Sequence, residues 1–129
     1  SKTLWKRHLA RRPETNPIER FGARFIADLP LMQQRGLDYY HAFAFGTLRQ
    51  LGSATELCAQ NLRWLDGAGV GGLVDGIAAF EGLSGAAKTF ILKAARAVNA
   101  KRALDAAPVF AEMAAAWQRG VDAALAAFG

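Results

Sequence analysis

Residues Leu37–Leu65, LDYYHAFAFGTLRQLGSATELCAQNLRWL, form the longest stretch of the chain with one unbroken helical pattern and no proline. Leu37, His41, Ala44, Leu48, Leu51, Thr55, Cys58, Leu62 and Leu65 follow one another at spacings of four and three, which places them on one face of an α-helix. A straight helix of this length runs about 43 Å at 1.5 Å per residue. A compact chain of this size has a radius of gyration of about 14 Å. The domain is therefore elongated or the helix bends. Gly52-Ser53 is the expected bend, because Gly/Ser pairs kink helices. The alternative use of Gly46 and Gly52 is close packing of a second helix.

The remaining segments read as partners for that seam. Lys2–Ala10 is a short predicted helix with Leu4, Trp5 and Leu9 inward, ended by Arg11-Arg12-Pro13. Asn16-Pro17-Ile18-Glu19 is a helix start, with Asn16 as cap, Pro17 at the first position and Glu19 placed for a capping box. Ile18, Phe21, Phe25, Leu29 and Met32 then share a face. Pro30 kinks this helix or begins a second short one capped by Asp28. Gly36 closes the unit. The glycine run from Gly67 to Gly72 is a connection rather than a phosphate loop, since no Gly-Lys-Ser/Thr follows. Leu73, Ile77, Phe80, Ser84, Ala87, Ile91, Ala94 and Val98 step by four and three, as one helix or as two broken at Gly82–Gly85. A last stripe starts at Asp105–Pro108 and carries Phe110, Met113, Trp117, Val121 and Phe128.

Alanine abounds from Ala78 onward and β-branched residues are few, which favours helix over strand. The expectation is an all-α fold: one domain over residues 1–129, an antiparallel bundle of about five helices with a long central helix, Leu37–Leu65. The sequence begins within a helical pattern and without methionine, so we expect it to be a fragment of a longer protein.

Composition narrows the chemistry. With one cysteine the chain cannot form an internal disulfide, which suits a reducing compartment, and the expected location is cytoplasmic. Arg49, Glu56 and Arg63 interrupt the best apolar run, so no membrane partner is expected. His8 and His41 share no ligand spacing with each other or with Cys58, so we expect no metal and no other cofactor. No nucleophile motif is present and no catalytic residue is assigned. Net charge is +5, and Lys2, Lys6, Arg7, His8, Arg11 and Arg12 cluster at the start. Such a cluster suits an acidic partner. Nucleic acid is the less favoured one, since no zinc-finger or RNA-binding signature accompanies it.

Two residue groups stand out. Tyr40, His41 and Arg49 could form a polar pocket, with His41 on the seam. A buried, hydrogen-bonded histidine is the commoner outcome there, and a general base the rarer one. Arg49, Glu56, Gln60 and Arg63 form a polar stripe opposite the seam that also carries Phe45. Aromatic and arginine side chains together are common at interfaces, so Phe45, Arg49, Glu56 and Arg63 are the candidate docking surface.

The segments HLARRPETNPIERFGARF (8–25) and YYHAFAFGTLRQLGSATELCAQNLRWL (39–65), and more loosely AAKTFILKAARAV (86–98) and MAAAWQRGVDAAL (113–125), resemble the C-terminal helical part of an uncharacterised bacterial family. That family is encoded near amino acid:carrier-protein ligases, and its N-terminal part is similar to a papain-like acyltransferase of butirosin biosynthesis. The resemblance implies a helical accessory domain of an acyltransferase-like protein that acts on an aminoacylated carrier protein. The expected partners are then a missing N-terminal domain of the same protein and a carrier protein. The catalytic cysteine would lie in that other domain, and Cys58 matches no such motif. The alternative is a free-standing helical interaction or regulatory module that binds nucleic acid through Lys2–Arg12 and Arg20/Arg24. An enzyme complete in this stretch is the least favoured reading.

Overall fold

In the computed structural model, the described residues are residue 3 and residues 16–128. The predicted helix Lys2–Ala10 and the basic cluster therefore lie outside the described residues, apart from residue 3. Four helices make up the described bundle, and no strand occurs among these residues. Helix α1 spans Pro17–Arg35. Helix α2 is one continuous run made of Leu37–Tyr40, a π-helical segment His41–Phe45, and Gly46–Gly67. Helix α3 spans Val74–Ala100 and α4 spans Ala107–Phe128.

The predicted start of α1 holds. The Asn16 side chain accepts from the Ile18 N–H at 2.9 Å, with Pro17 in the first turn. The same side chain donates to the Ala114 carbonyl at 2.8 Å, which ties the start of α1 to α4. Helix α1 runs through Pro30 without a break, with that proline exposed. Gly36 follows at φ 90° and its N–H caps the Met32 carbonyl. The α3 helix likewise runs unbroken through Gly82–Gly85. It ends on Lys101 at φ 54°, where the Arg102 N–H bonds the Ala97 carbonyl at 3.0 Å.

Among the described residues, α3 rather than the Leu37–Leu65 helix meets all the other helices. Its predicted stripe is real: Leu73, Phe80, Ser84, Ala87, Ala94 and Val98 are all buried. Gly76, Ala79, Leu83, Phe90 and Ala97 are buried as well and widen that stripe. A wide buried face can take several neighbours, and α3 packs against α1, α2 and α4. The α2–α3 pair is antiparallel, because contacts advance along one helix as they retreat along the other. Tyr40 meets Ile91, Gly52 meets Ser84 and Arg63 meets Glu81.

Three close approaches set the packing. At Gly52, α3 comes near enough for the Ser84 hydroxyl to donate to the Gly52 carbonyl at 2.8 Å. A Cβ on Gly52 would meet Lys88 Cγ at 3.2 Å. Close packing is thus what Gly52 provides, and the helix has no break there. Gly46 has open space and plays no such part. Phe110 of α4 lies on Gly22 of α1, and Phe80 of α3 lies on Gly120 of α4. Any added Cβ would come within 2.7 Å and 2.6 Å of those rings. Phe25, Phe90 and Phe110 meet edge-on or tilted, with centroids 5.2–5.4 Å apart, and join α1, α3 and α4 in one core.

The π-helical segment changes the register of α2. A π turn takes in about one extra residue, worth about 100° of rotation. In a regular helix His41 would share the face of Leu48. Here Tyr40 takes that place, fully buried, and His41 is exposed. The rest of the seam is as read: Ala44, Leu48, Thr55, Leu62 and Leu65 are buried, with Leu37, Leu51 and Cys58 half-buried.

These contacts predict opposite signs for one chemical change. Gly22→Ala and Gly120→Ala should each destabilise the domain by about 1–3 kcal/mol through overpacking, despite alanine's better helix propensity. Gly85→Ala, at an exposed helical position with open space, should stabilise it by about 0.5–1 kcal/mol. Urea denaturation of the three variants separates these outcomes. Leu48→Ala and Leu62→Ala, at fully buried positions, should cost about 2–5 kcal/mol in the same assay.

Candidate functional site

The predicted polar stripe of α2 lies along the outer edge of the α2–α3 pair. Glu56 and Arg63 do not face outward alone. Lys88 Nζ donates to Glu56 at 2.7 Å, and the Arg63 guanidinium donates to Glu81. All four side chains are about half exposed, so these pairs fix geometry more than they stabilise. The Lys88 ammonium, by its hydrogen bond and its charge, holds the Glu56 carboxyl below the usual range. Arg49 is exposed, and Phe45 is half-buried against the core.

Exposed apolar side chains flank the two ion pairs. Leu57 and Trp64 directly follow Glu56 and Arg63, about 100° further around α2. On α3, Val74 lies two turns before Glu81, and Leu92 lies one turn after Lys88, on the same side of that helix. These four side chains are 60–69% exposed. Single exposed apolar residues are ordinary; these four lie on the two helices that carry the ion pairs. The docking surface read from the sequence leaves out Leu57 and Trp64 because they carry no charge. The spacing of seven between them was the available signal.

The polar pocket expected from Tyr40, His41 and Arg49 takes a different form. Tyr40 and His41 are in contact, with ring centroids 5.6 Å apart, and Phe45 stands edge-on to His41 at 4.8 Å. The Tyr40 hydroxyl points inward and donates to the Ile91 carbonyl at 2.9 Å. Burial pushes its pKa up to about 12. His41, displaced from the seam by the π-helical register, stays on the surface, and Arg49 is exposed two turns further on. Burial also pushes the half-buried Cys58 thiol up, the opposite of what a reactive thiolate needs. Among the described residues no group of three His, Cys, Asp or Glu could hold a metal ion.

A broad groove of about 680 Å³ runs between α3 and the start of α4. Thr89, Lys93, Asp105 and Glu112 line it beside Gly82 and Gly85. Its polar groups are exposed.

The described residues thus form an all-α bundle. Residues 1–126 match the family model described as the DUF1839 C-terminal domain, and the chain belongs to that family, a domain of unknown function. No curated protein and no solved structure matches it. No helix among the described residues is long and apolar enough to cross a membrane.

Tyr40 gives a direct test of the register. Its folded pKa lies above its unfolded value near 10. Between pH 10 and about 12 the unfolded chain loses the phenolic proton first. Its contribution to stability is therefore complete below pH 10 and is lost as pH rises through that window. Ultraviolet titration should show a tyrosine ionising near 12 that is missing from Tyr40→Phe. The same variant should lose about 0.5–1.5 kcal/mol at neutral pH for the missing hydrogen bond.

Proposed function

We propose that this chain is a helical accessory domain that packs, through the outer α2–α3 face, against an acyltransferase-like domain of the same polypeptide. There it helps shape the site that receives an aminoacylated carrier protein. The observation that supports the docking role is that the two helices joined by the Glu56–Lys88 and Arg63–Glu81 pairs also leave Leu57, Trp64, Val74 and Leu92 exposed. The family description, a C-terminal domain, supports a preceding domain as the occupant. The acyltransferase and carrier-protein parts rest on the sequence resemblance. A cytoplasmic location fits the single, half-buried thiol.

In a longer polypeptide carrying both domains, amide exchange along the exposed side of α2 around Leu57 and Trp64 should slow relative to the isolated chain. Leu57→Ser with Trp64→Ser should abolish that protection and leave the isolated domain's Tm nearly unchanged, because both side chains are exposed. Identical exchange in both contexts would reject the docking face. Titration with loaded carrier protein tests the second part, and no binding by the longer polypeptide would reject it.

One observation favours a second reading. Residues 1–15 hold five lysines and arginines against Glu14 alone, nearly the whole net charge of the chain. A nucleic-acid-binding module would show a gel shift that weakens steeply with salt.

A further inference from the structure

We infer that the cleft between α1 and the start of α2 binds a small zwitterion with an apolar, preferably aromatic, body: a free α-amino acid of the phenylalanine or tryptophan kind. The cleft encloses about 260 Å³, slightly below the roughly 300–1,000 Å³ of pockets for drug-sized ligands. That suits a molecule built on one ring system. Its apolar wall includes Phe21 and Phe25 from α1, with Tyr39 and Phe43 from α2. Tyr39 and Phe43 stack with centroids 4.3 Å apart, and the Arg35 guanidinium sits 4.9 Å over the outer Tyr39 ring. Phe43 is 64% exposed, so one of its surfaces is left for a ligand ring.

The polar groups of the cleft supply the second half of the match. Arg24 and Asp28 both line it, one helical turn apart on α1. An arginine four residues before an acid is the less favourable order for a helical ion pair. Neither side chain has a hydrogen bond or ion pair with another described residue. A carboxylate acceptor and a guanidinium donor, each without a partner among the described residues, therefore lie one helical turn apart in the lining of an aromatic cleft. A carboxylate on Arg24 and an ammonium on Asp28 satisfy both, while the ligand's side chain enters among the rings.

The π-helical segment builds this cleft. Without its extra residue, Tyr39 would point away from the bundle, opposite Leu48. The slip of about 100° turns Tyr39 toward α1, in line with Phe43. Such insertions are frequent at functional sites. One distortion therefore seats Tyr40 in the core and supplies the outer wall of the cleft. This site is distinct from the α2–α3 docking face and does not depend on it.

Isothermal titration of the whole chain with L-phenylalanine and L-tryptophan should give saturable binding. N-acetyl-L-phenylalanine, which lacks the ammonium, and L-phenylalaninamide, which lacks the carboxylate, should each bind at least about tenfold more weakly. Asp28→Asn, Arg24→Gln and Phe43→Ala change exposed side chains and should keep the parent Tm. Each should weaken L-phenylalanine binding by about tenfold or more. Absence of saturable binding by both amino acids at millimolar concentration overturns the proposal. So does either derivative binding as tightly as its parent, or variants that fold normally and bind unchanged.

Discussion

The bundle depends on how close α2 comes to α3. At Gly52 there is no side chain to hold the helices apart, and Ser84 turns that proximity into a hydrogen bond to the Gly52 carbonyl. The neighbouring contacts follow from this spacing. Ala87 fits beneath the same point. The Lys88 stem lies across Gly52 and delivers its ammonium to Glu56. One turn beyond Ser84, toward the other end of the pair, Glu81 meets Arg63. A larger residue at position 52 would separate all of these groups together. The two ion pairs of the outer edge therefore depend on one tight crossing.

Much of the fold was legible because spacing reports on faces. The seam from Ala44 to Leu65 follows from period alone, and the α1 start follows from Asn16-Pro17. Which helix meets all the others was not legible. On α3 the buried stripe is widened by Gly76, Ala79, Leu83, Phe90 and Ala97. Glycine and alanine are at home in buried and exposed helix positions alike, so they do not announce a face. The wider buried face of α3 meets all three other described helices, whereas the cleaner leucine pattern of Leu37–Leu65 marks a narrower one.

The candidate site divides in the same way. That Glu56 and Arg63 share an edge of α2 was readable, but that α3 supplies a counter-charge for each was not, because Glu81 and Lys88 are distant in sequence. His41 is the sharper case. A uniform helix places it on the seam, and nothing local marks the extra residue in His41–Phe45. The choice is made by tertiary fit: Tyr40 fills the core and reaches the Ile91 carbonyl, which a register with His41 inward would forgo. Period-based reading assumes one period throughout, and a single π turn is enough to exchange adjacent residues between core and solvent.

The two phenylalanine–glycine contacts carry a mechanical consequence. Helix α4 places Phe110 on Gly22 of α1 and receives Phe80 of α3 at its own Gly120. It is thus both plug and socket, at points ten residues or about 15 Å apart. A sliding step of one turn, about 5.4 Å, would drive both rings into neighbouring side chains at once. This half of the bundle is therefore geared against shear.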